Sequence, residues 1–392
     1  MKNIRDLDIR EKKVLIRVDF NVPLDGQRNI TDDTRIKGAL STIVYALEQQ
    51  ARVIVCSHLG RPKGKRLEEF SLAPVARHLG DLLSKDVILA PDCIGAEVEK
   101  LVAAMPSGDV VLLENLRFHP EETANDPGFS RQLGKLADVY INDAFAVSHR
   151  AHASVEGVVS YVDQCGTGFL LQREMDYFHR SMTNPDRPLA AIIGGAKVSS
   201  KLGALRSMMD RVDIIIIGGA MANTFLKSQG YRVGTSLVED DLLDTAKELL
   251  TKAEERGVKL YLPVDCVIAD RLDKDAATET VEIQDVPGDR MMLDIGPATT
   301  RLFGKVLKDA VTIVWNGPMG AFETAAFAAG TMDLLREVAS SDALTIIGGG
   351  DTVLAVRMAG VAEKISYIST GGGAFLMLME GKELPGVLAL EK

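Results

Sequence analysis

Residues 192–201 read IIGGAKVSSK: an apolar run, two glycines, then lysines at 197 and 201. Glycines let backbone N–H groups approach a ligand closely, and the lysines add charge, so this stretch could seat a phosphate. It matches neither G-x-x-x-x-G-K-[ST] nor G-x-G-x-x-G. Apolar residues at 198, 202, 205, 209 and 212 predict a helix starting here, with Lys197 and Lys201 on one face of its beginning. Two cations at that end of a helix oppose each other and the dipole, each effect worth roughly 0.3 kcal/mol or more. A bound anion would reverse both penalties. Two solvated surface lysines are the plainer alternative.

Further glycine clusters follow. GGGDTVLAV (348–356) places Asp351 and Thr352 where a strand turns into a helix. Asp351 reads either as an ordinary N-cap or as a Mg²⁺ ligand, since Mg²⁺ is held by one or two carboxylates plus nucleotide phosphates. STGGGAFLMLMEGK (369–382) opens another helix on glycines 371–373, and WNGPMGAFE (315–323) is a turn ending in Glu323, a candidate acceptor for ribose hydroxyls.

A second set of residues is charged. KVLIRVDFNVP (13–23) sets Arg17, Asp19 and Asn21 at alternate positions, on one face of a strand. A capped helix is predicted within 31–50, with Arg35 in its first turn. SHLGRPKGK (57–65) offers His58 and Arg61, ENLRF offers Arg117, and SHRAH (148–152) sets Arg150 between two histidines. Singly these are surface or ion-pair residues. Together Arg35, Arg61, Arg117 and Arg150 would form a guanidinium basket suited to phosphate or carboxylate.

The elements that must position these groups are short apolar runs alternating with helical patterns, the signature of parallel sheets flanked by helices. Strands are expected at 14–20, 52–59, 110–116 and 139–145, then at 189–195, 213–219, 259–265, 311–317 and 344–350. The polar segment 172–188 separates the two sets. In open α/β sheets ligands bind outside the carboxyl ends of the strands. The first set delivers charge there, and the second delivers glycine.

A chain of 392 residues with 46% hydrophobic and 26% charged residues has room for two domains. Its net charge of −10 argues against general binding to nucleic acid or acidic membranes, so any anion site must be a local cluster. Cys56, Cys93, Cys165 and Cys266 lack C-x-x-C or zinc-like spacing, which predicts reduced thiols. The charged N-terminus lacks a signal-peptide core and no apolar run is long enough to span a bilayer, so a cytoplasmic protein is expected.

KVLIRVDFNVP, SHLGRP, ENLRF, HRAH, GGAKVSSK, VWNGPMGAFE, GGGDT and STGGG occur in the order found in phosphoglycerate kinases, and the sequence closely resembles that family end to end. The resemblance implies two Rossmann-like α/β domains joined by a hinge, in an acidic monomer. Its expected boundaries are 1–171 for phosphoglycerate binding, 172–188 for the hinge, 189–375 for nucleotide binding, and 376–392 for a tail packing back on the first domain. It implies a reaction between 1,3-bisphosphoglycerate and Mg-ADP. It assigns Asp19, Phe20, Asn21, Arg35, His58, Leu59, Gly60, Arg61, Arg117 and Arg150 to phosphoglycerate. Lys201, Glu323, Gly349, Gly350, Asp351 and Thr352 go to the nucleotide, with Asp351 holding Mg²⁺. Ala196, Gly218, Gly219, Leu293 and Pro318 go to the adenosine pocket. Arg35, Lys197, Gly371, Gly372 and Gly373 are the implied catalytic groups. Ser200, Val147-Ser148, Phe375 and Met377 depart from the family's usual residues. Rival readings are another ATP-dependent acyl-phosphate kinase and a non-catalytic, hinge-closing nucleotide or anion binder.

Overall fold

The computed structural model describes residues 1–391, which form two compact units. One comprises Met1–Asp176 together with the chain from Glu383 onward, and the other Tyr177–Lys382. No helix among the described residues is long and apolar enough to cross a membrane.

The first unit is built on β1 (Lys13–Arg17), β2 (Arg52–Cys56), β3 (Val87–Leu89), β4 (Val110–Leu112), β5 (Val139–Asn142) and β6 (Gln164–Thr167). They pair in the order β3-β4-β2-β1-β5-β6, all parallel. Helices cover both faces, which is why the central strands are apolar at nearly every position rather than at alternate ones. Val14, Ile16, Val53, Val55, Val139 and Ile141 join one core with Ile36, Ala39 and Ile43 from the helix Thr34–Glu48.

The second unit contains β7 (Leu189–Ile193), β8 (Ile214–Ile217), β9 (Lys259–Tyr261), β10 (Asp265–Ala269), β11 (Glu279–Glu282), β12 (Met291–Ile295), β13 (Thr312–Asn316), β14 (Leu344–Gly348) and β15 (Tyr367–Ile368). Six of them form a parallel sheet, β15-β14-β13-β7-β8-β9. The other three form a small antiparallel sheet, β11-β10-β12.

That small sheet is not anticipated by the sequence pattern. The run 259–265 is two elements: β9 ends at Tyr261, and Asp265 opens β10 in the other sheet. The remaining strands end one to four residues before their expected limits, because the chain there leaves the sheet for the loops at the strands' carboxyl ends. The helix Phe169–Phe178 begins before residue 172 and crosses the expected start of the hinge. The helix Gly372–Met379 runs unbroken past residue 375, so the tail of the first unit begins at Glu383, not at 376.

Candidate active site

In the first unit the charged residues come from the carboxyl ends of four adjacent strands, β4, β2, β1 and β5. Asp19, 6% exposed, follows β1 and accepts from Arg35 Nη1 at 2.5 Å. Arg35 stands in the first turn of the helix Thr34–Glu48. Asp33 occupies that helix's N-cap position without capping it; its carboxylate takes His78 Nε2 at 3.0 Å and Lys37 Nζ at 3.1 Å instead. Gly60, at φ +59°, is the joint of the site: its N–H donates to Asn21 Oδ1 at 2.8 Å, and its carbonyl accepts from Arg117 Nη1 at 2.7 Å. Arg61, Arg117 and Arg150 line one cavity of about 630 Å³ with Lys63, His119 and His152.

So many guanidinium groups in one place set the protonation of their neighbours. His58 is held well below its ordinary value, by burial first and then by Arg17, Arg117, Arg35 and Arg150. His152 is pushed down to about 4 by burial and by Arg117, Arg17 and Arg150. Burial and Arg150 also lower His149. Arg117 itself falls to about 10 through burial and the repulsion of Arg150 and Arg17, yet stays charged at neutral pH. The cavity is a positive pocket in which His152 is held neutral, whereas the hydrogen bond to Asp92 raises His119 at its wall.

In the second unit the glycine clusters leave the carboxyl ends of β15, β14, β13, β7 and β8, again adjacent strands. A cavity of about 330 Å³ is lined by Gly195, Ala196, Gly219, Leu293, Pro318, Glu323 and Asp351 among others, mostly apolar apart from the carboxylates of Asp294, Glu323 and Asp351. Not every glycine there serves a ligand. A Cβ on Gly317 would lie 2.1 Å from the Gly194 carbonyl oxygen, so this pair is small to let two loops touch. Gly195 and Gly350, by contrast, have nothing within 4 Å of a Cβ position.

The helices Gly350–Ala359 and Gly372–Met379 start beside each other: a Cβ on Gly372 would sit 3.5 Å from Gly350 N. Neither is capped by a side chain, leaving first-turn N–H groups for an anion. Asp351 lies in the first helical turn, and Gly349 holds the N-cap position expected of it. Its carboxylate has no hydrogen bond or ion pair among the described residues.

This architecture recurs in known proteins. The phosphoglycerate kinase family model matches residues 4–382. The chain belongs to that family. It is 63% identical over 391 residues to a phosphoglycerate kinase of Desulfotalea psychrophila, covering 100% of both chains. It is 57% identical over 392 residues to that of Desulfosudis oleivorans, covering 100% of this chain and 99% of the other. The solved phosphoglycerate kinase of Coxiella burnetii superposes with a TM-score of 0.92 at 43% identity, covering 100% of this chain and 98% of that one.

Against the residues implied by the family resemblance, the structure sharpens several. Phe20 and Leu59 are core side chains, 0% and 3% exposed, and the Phe20 N–H donates to Ser57 Oγ at 2.8 Å. Both backbone groups of Leu59 are taken by Asn115, at 3.2 and 2.7 Å. Lys197 and Lys201 do not share a helix face, because the helix is only Leu202–Met208 and Lys201 is its N-cap. Lys197 is exposed in the preceding turn, which Glu239 ties down through Ser199 N at 3.0 Å. Lys201 instead turns inward to Asn316 Oδ1; burial lowers its pKa, and Asp351 and Glu380 act against that. Gly218 is buried behind Met319 rather than in the cavity wall, and Thr352 Oγ1 accepts from Gly317 N at 2.7 Å, bracing the turn. Phe375 fills the space beside Gly348, where a Cβ would lie 2.3 Å from its ring.

Asn115, Asn316 and Arg17 escaped notice as site residues. The first two stand inside ENLRF and VWNGPMGAFE, but only a structure shows an amide clamping a loop. Arg17 shares the strand face of Asp19 and is 1% exposed, a burial that charge alone argues against.

Proposed function

We propose that this chain transfers a phosphoryl group reversibly between 1,3-bisphosphoglycerate and Mg-ADP, giving 3-phosphoglycerate and ATP. The observation that carries this reading is the guanidinium cavity of the first unit, where Arg61, Arg117 and Arg150 meet beside His152, which they and burial keep neutral. Such a field selects a small, multiply charged anion. Asp19, Asn21, Arg35, His58 and Gly60 complete the proposed phosphoglycerate site. The apolar cavity of the second unit takes the adenosine, with Glu323 on the ribose and Lys201, Gly349, Gly350 and Thr352 toward the phosphates.

Phosphoryl transfer needs alignment and charge neutralisation more than a protein nucleophile. The acceptor is already an anionic oxygen, so no strong general base is required. Arg35, Lys197 and the N–H groups at Gly372 and Gly373 neutralise the transferred group, each worth ~2.7–4 kcal/mol by analogy with oxyanion-hole donors; the Gly371 N–H, expected to join them, donates to Ser369 Oγ at 3.3 Å instead. Asp351 fits Mg²⁺: its carboxylate lines the nucleotide cavity and takes no hydrogen bond from the described residues, and phosphates and water would supply the other ligands. When bound, the ion would spread the negative charge of the nucleotide phosphates. The two reactants are held by different units, so the reaction needs a closure step that brings them in line and excludes water. A cytoplasmic monomer completes the reading; the buried thiols of Cys56, Cys93 and Cys266, pushed upward by burial, suit a reducing compartment. The decisive experiment is a coupled assay of the purified chain with 1,3-bisphosphoglycerate and Mg-ADP. Failure to form ATP overturns the proposal.

A further inference from the structure

We propose that a buried chain of Glu122, Ser154 and Arg17 fixes His58 in its Nε2–H form, making Arg17 a positioning residue for the anion site of the first unit. Arg17 lies under that site at 1% exposure, and its guanidinium is committed on three sides. Nε donates to Ser154 Oγ at 2.8 Å, Nη1 donates to the Val18 carbonyl, and Nη2 lies 3.4 Å from His58 Nδ1. Ser154 is anchored in turn by Glu122, 1% exposed, which accepts from Ser154 N at 2.9 Å and Ser154 Oγ at 2.7 Å.

A guanidinium has only donors. Facing Arg17, His58 Nδ1 must present a lone pair, and a neutral imidazole then carries its proton on Nε2. That second nitrogen has no partner among the described residues, so the ring offers an incoming anion an N–H group. The opposing influence is Asp19, whose Oδ1 lies 3.7 Å from the same Nδ1. Without Arg17, that carboxylate would draw the proton to Nδ1 and turn a lone pair toward the ligand. The other charged groups around the ring are Arg35, Arg117 and Arg150, all cations that keep it neutral. Arg17 therefore decides which of two neutral forms the site contains. Its bearing on turnover rests on the phosphoglycerate reading above.

The test is ¹⁵N NMR of the full chain labelled at histidine, with His58 assigned by loss of its signals in His58→Gln. The wild type is expected to show an unprotonated Nδ1 and a protonated Nε2, unchanged from about pH 5 to 8. A protonated Nδ1 or a titrating ring overturns the proposal, whether or not the protein turns over phosphoglycerate. Arg17→Met is expected to move the proton to Nδ1 and raise the KM for 3-phosphoglycerate roughly tenfold or more, leaving that for nucleotide unchanged. Should that variant not fold, Ser154→Ala, which frees the guanidinium at Nε, is expected to give a detectable Nδ1–H population. A wild-type tautomer in the folded variant overturns the role of Arg17. Turnover failing with the expected tautomer present would count against the functional reading alone.

Discussion

Replacing Gly60 by alanine asks whether the anion site of the first unit hangs on one backbone turn. At φ +59° an L side chain costs roughly 1–2 kcal/mol. The new Cβ would lie 2.3 Å from Phe70 Cε1 and 2.4 Å from Cδ1, an overlap that adds ~1–3 kcal/mol before the half-buried ring yields. The sum is roughly 2–5 kcal/mol, or a drop of about 10 °C in the Tm of the first unit at ~2–4 °C per kcal/mol. The strain falls on the residue that bonds both Asn21 and Arg117, so the KM for 3-phosphoglycerate should rise roughly tenfold while that for ADP holds. Gly360→Ala is the control: φ is +68° and nothing lies within 4 Å of the Cβ, so it carries left-handed backbone strain without the clash. Calorimetry and steady-state kinetics on the three proteins suffice. Wild-type Tm and KM in Gly60→Ala, or an equal change in the KM for ADP, would refute the reasoning.

Arg35→Ala and Lys197→Ala are each expected to lower kcat about 10²–10³-fold with smaller changes in KM; unaltered turnover in either removes that residue from the catalytic set. Asp351→Asn should weaken Mg-ADP binding in calorimetry, leave metal-free ADP and 3-phosphoglycerate binding alone, and mimic chelation of the metal. The Asp143 carboxyl is pushed up to about 7 by burial, against bonds from Thr42, Leu171 and Leu170. Its folded pKa lies above its unfolded one, so it stabilises below pH ~4 and that contribution disappears as pH rises through about 7. From 3.8 to about 7 is some three units, or about 4 kcal/mol, by which wild type should lose stability relative to Asp143→Asn between pH 4 and 8. A Tm difference between the two proteins that is constant across that range contradicts it.

The sequence disclosed the alternation of strands and helices, the split into a charged and a glycine-rich half, and the arginines, because period and charge are local properties. It could not disclose which glycines touch ligand. Gly194 and Gly317 read like Gly195 and Gly350, and only tertiary contact separates glycines that admit another backbone from glycines that stand open. The antiparallel sheet was hidden for a related reason: Asp265–Ala269 continues an apolar run begun at Lys259, and the change of partner occurs inside it. The lysines were misplaced on a helix because apolar spacing persists through a turn that Glu239 and Ser199 hold together.

Electrostatics explains why an acidic chain can hold so positive a cavity. Arginine is the cation that stays charged when crowded; Arg117, pushed down to about 10, remains three units above neutral pH, whereas lysines or histidines in its place would lose protons. Histidines beside it do lose theirs, which limits the repulsion to groups that can grip an anion with two N–H bonds each. A dianion bound among Arg117, Arg150 and Arg17 would offset their remaining mutual repulsion. The affinity for 3-phosphoglycerate, and with it the rise in Tm at a fixed ligand concentration, should therefore fall as added salt screens the arginines, and a Tm shift unchanged at high salt would contradict this.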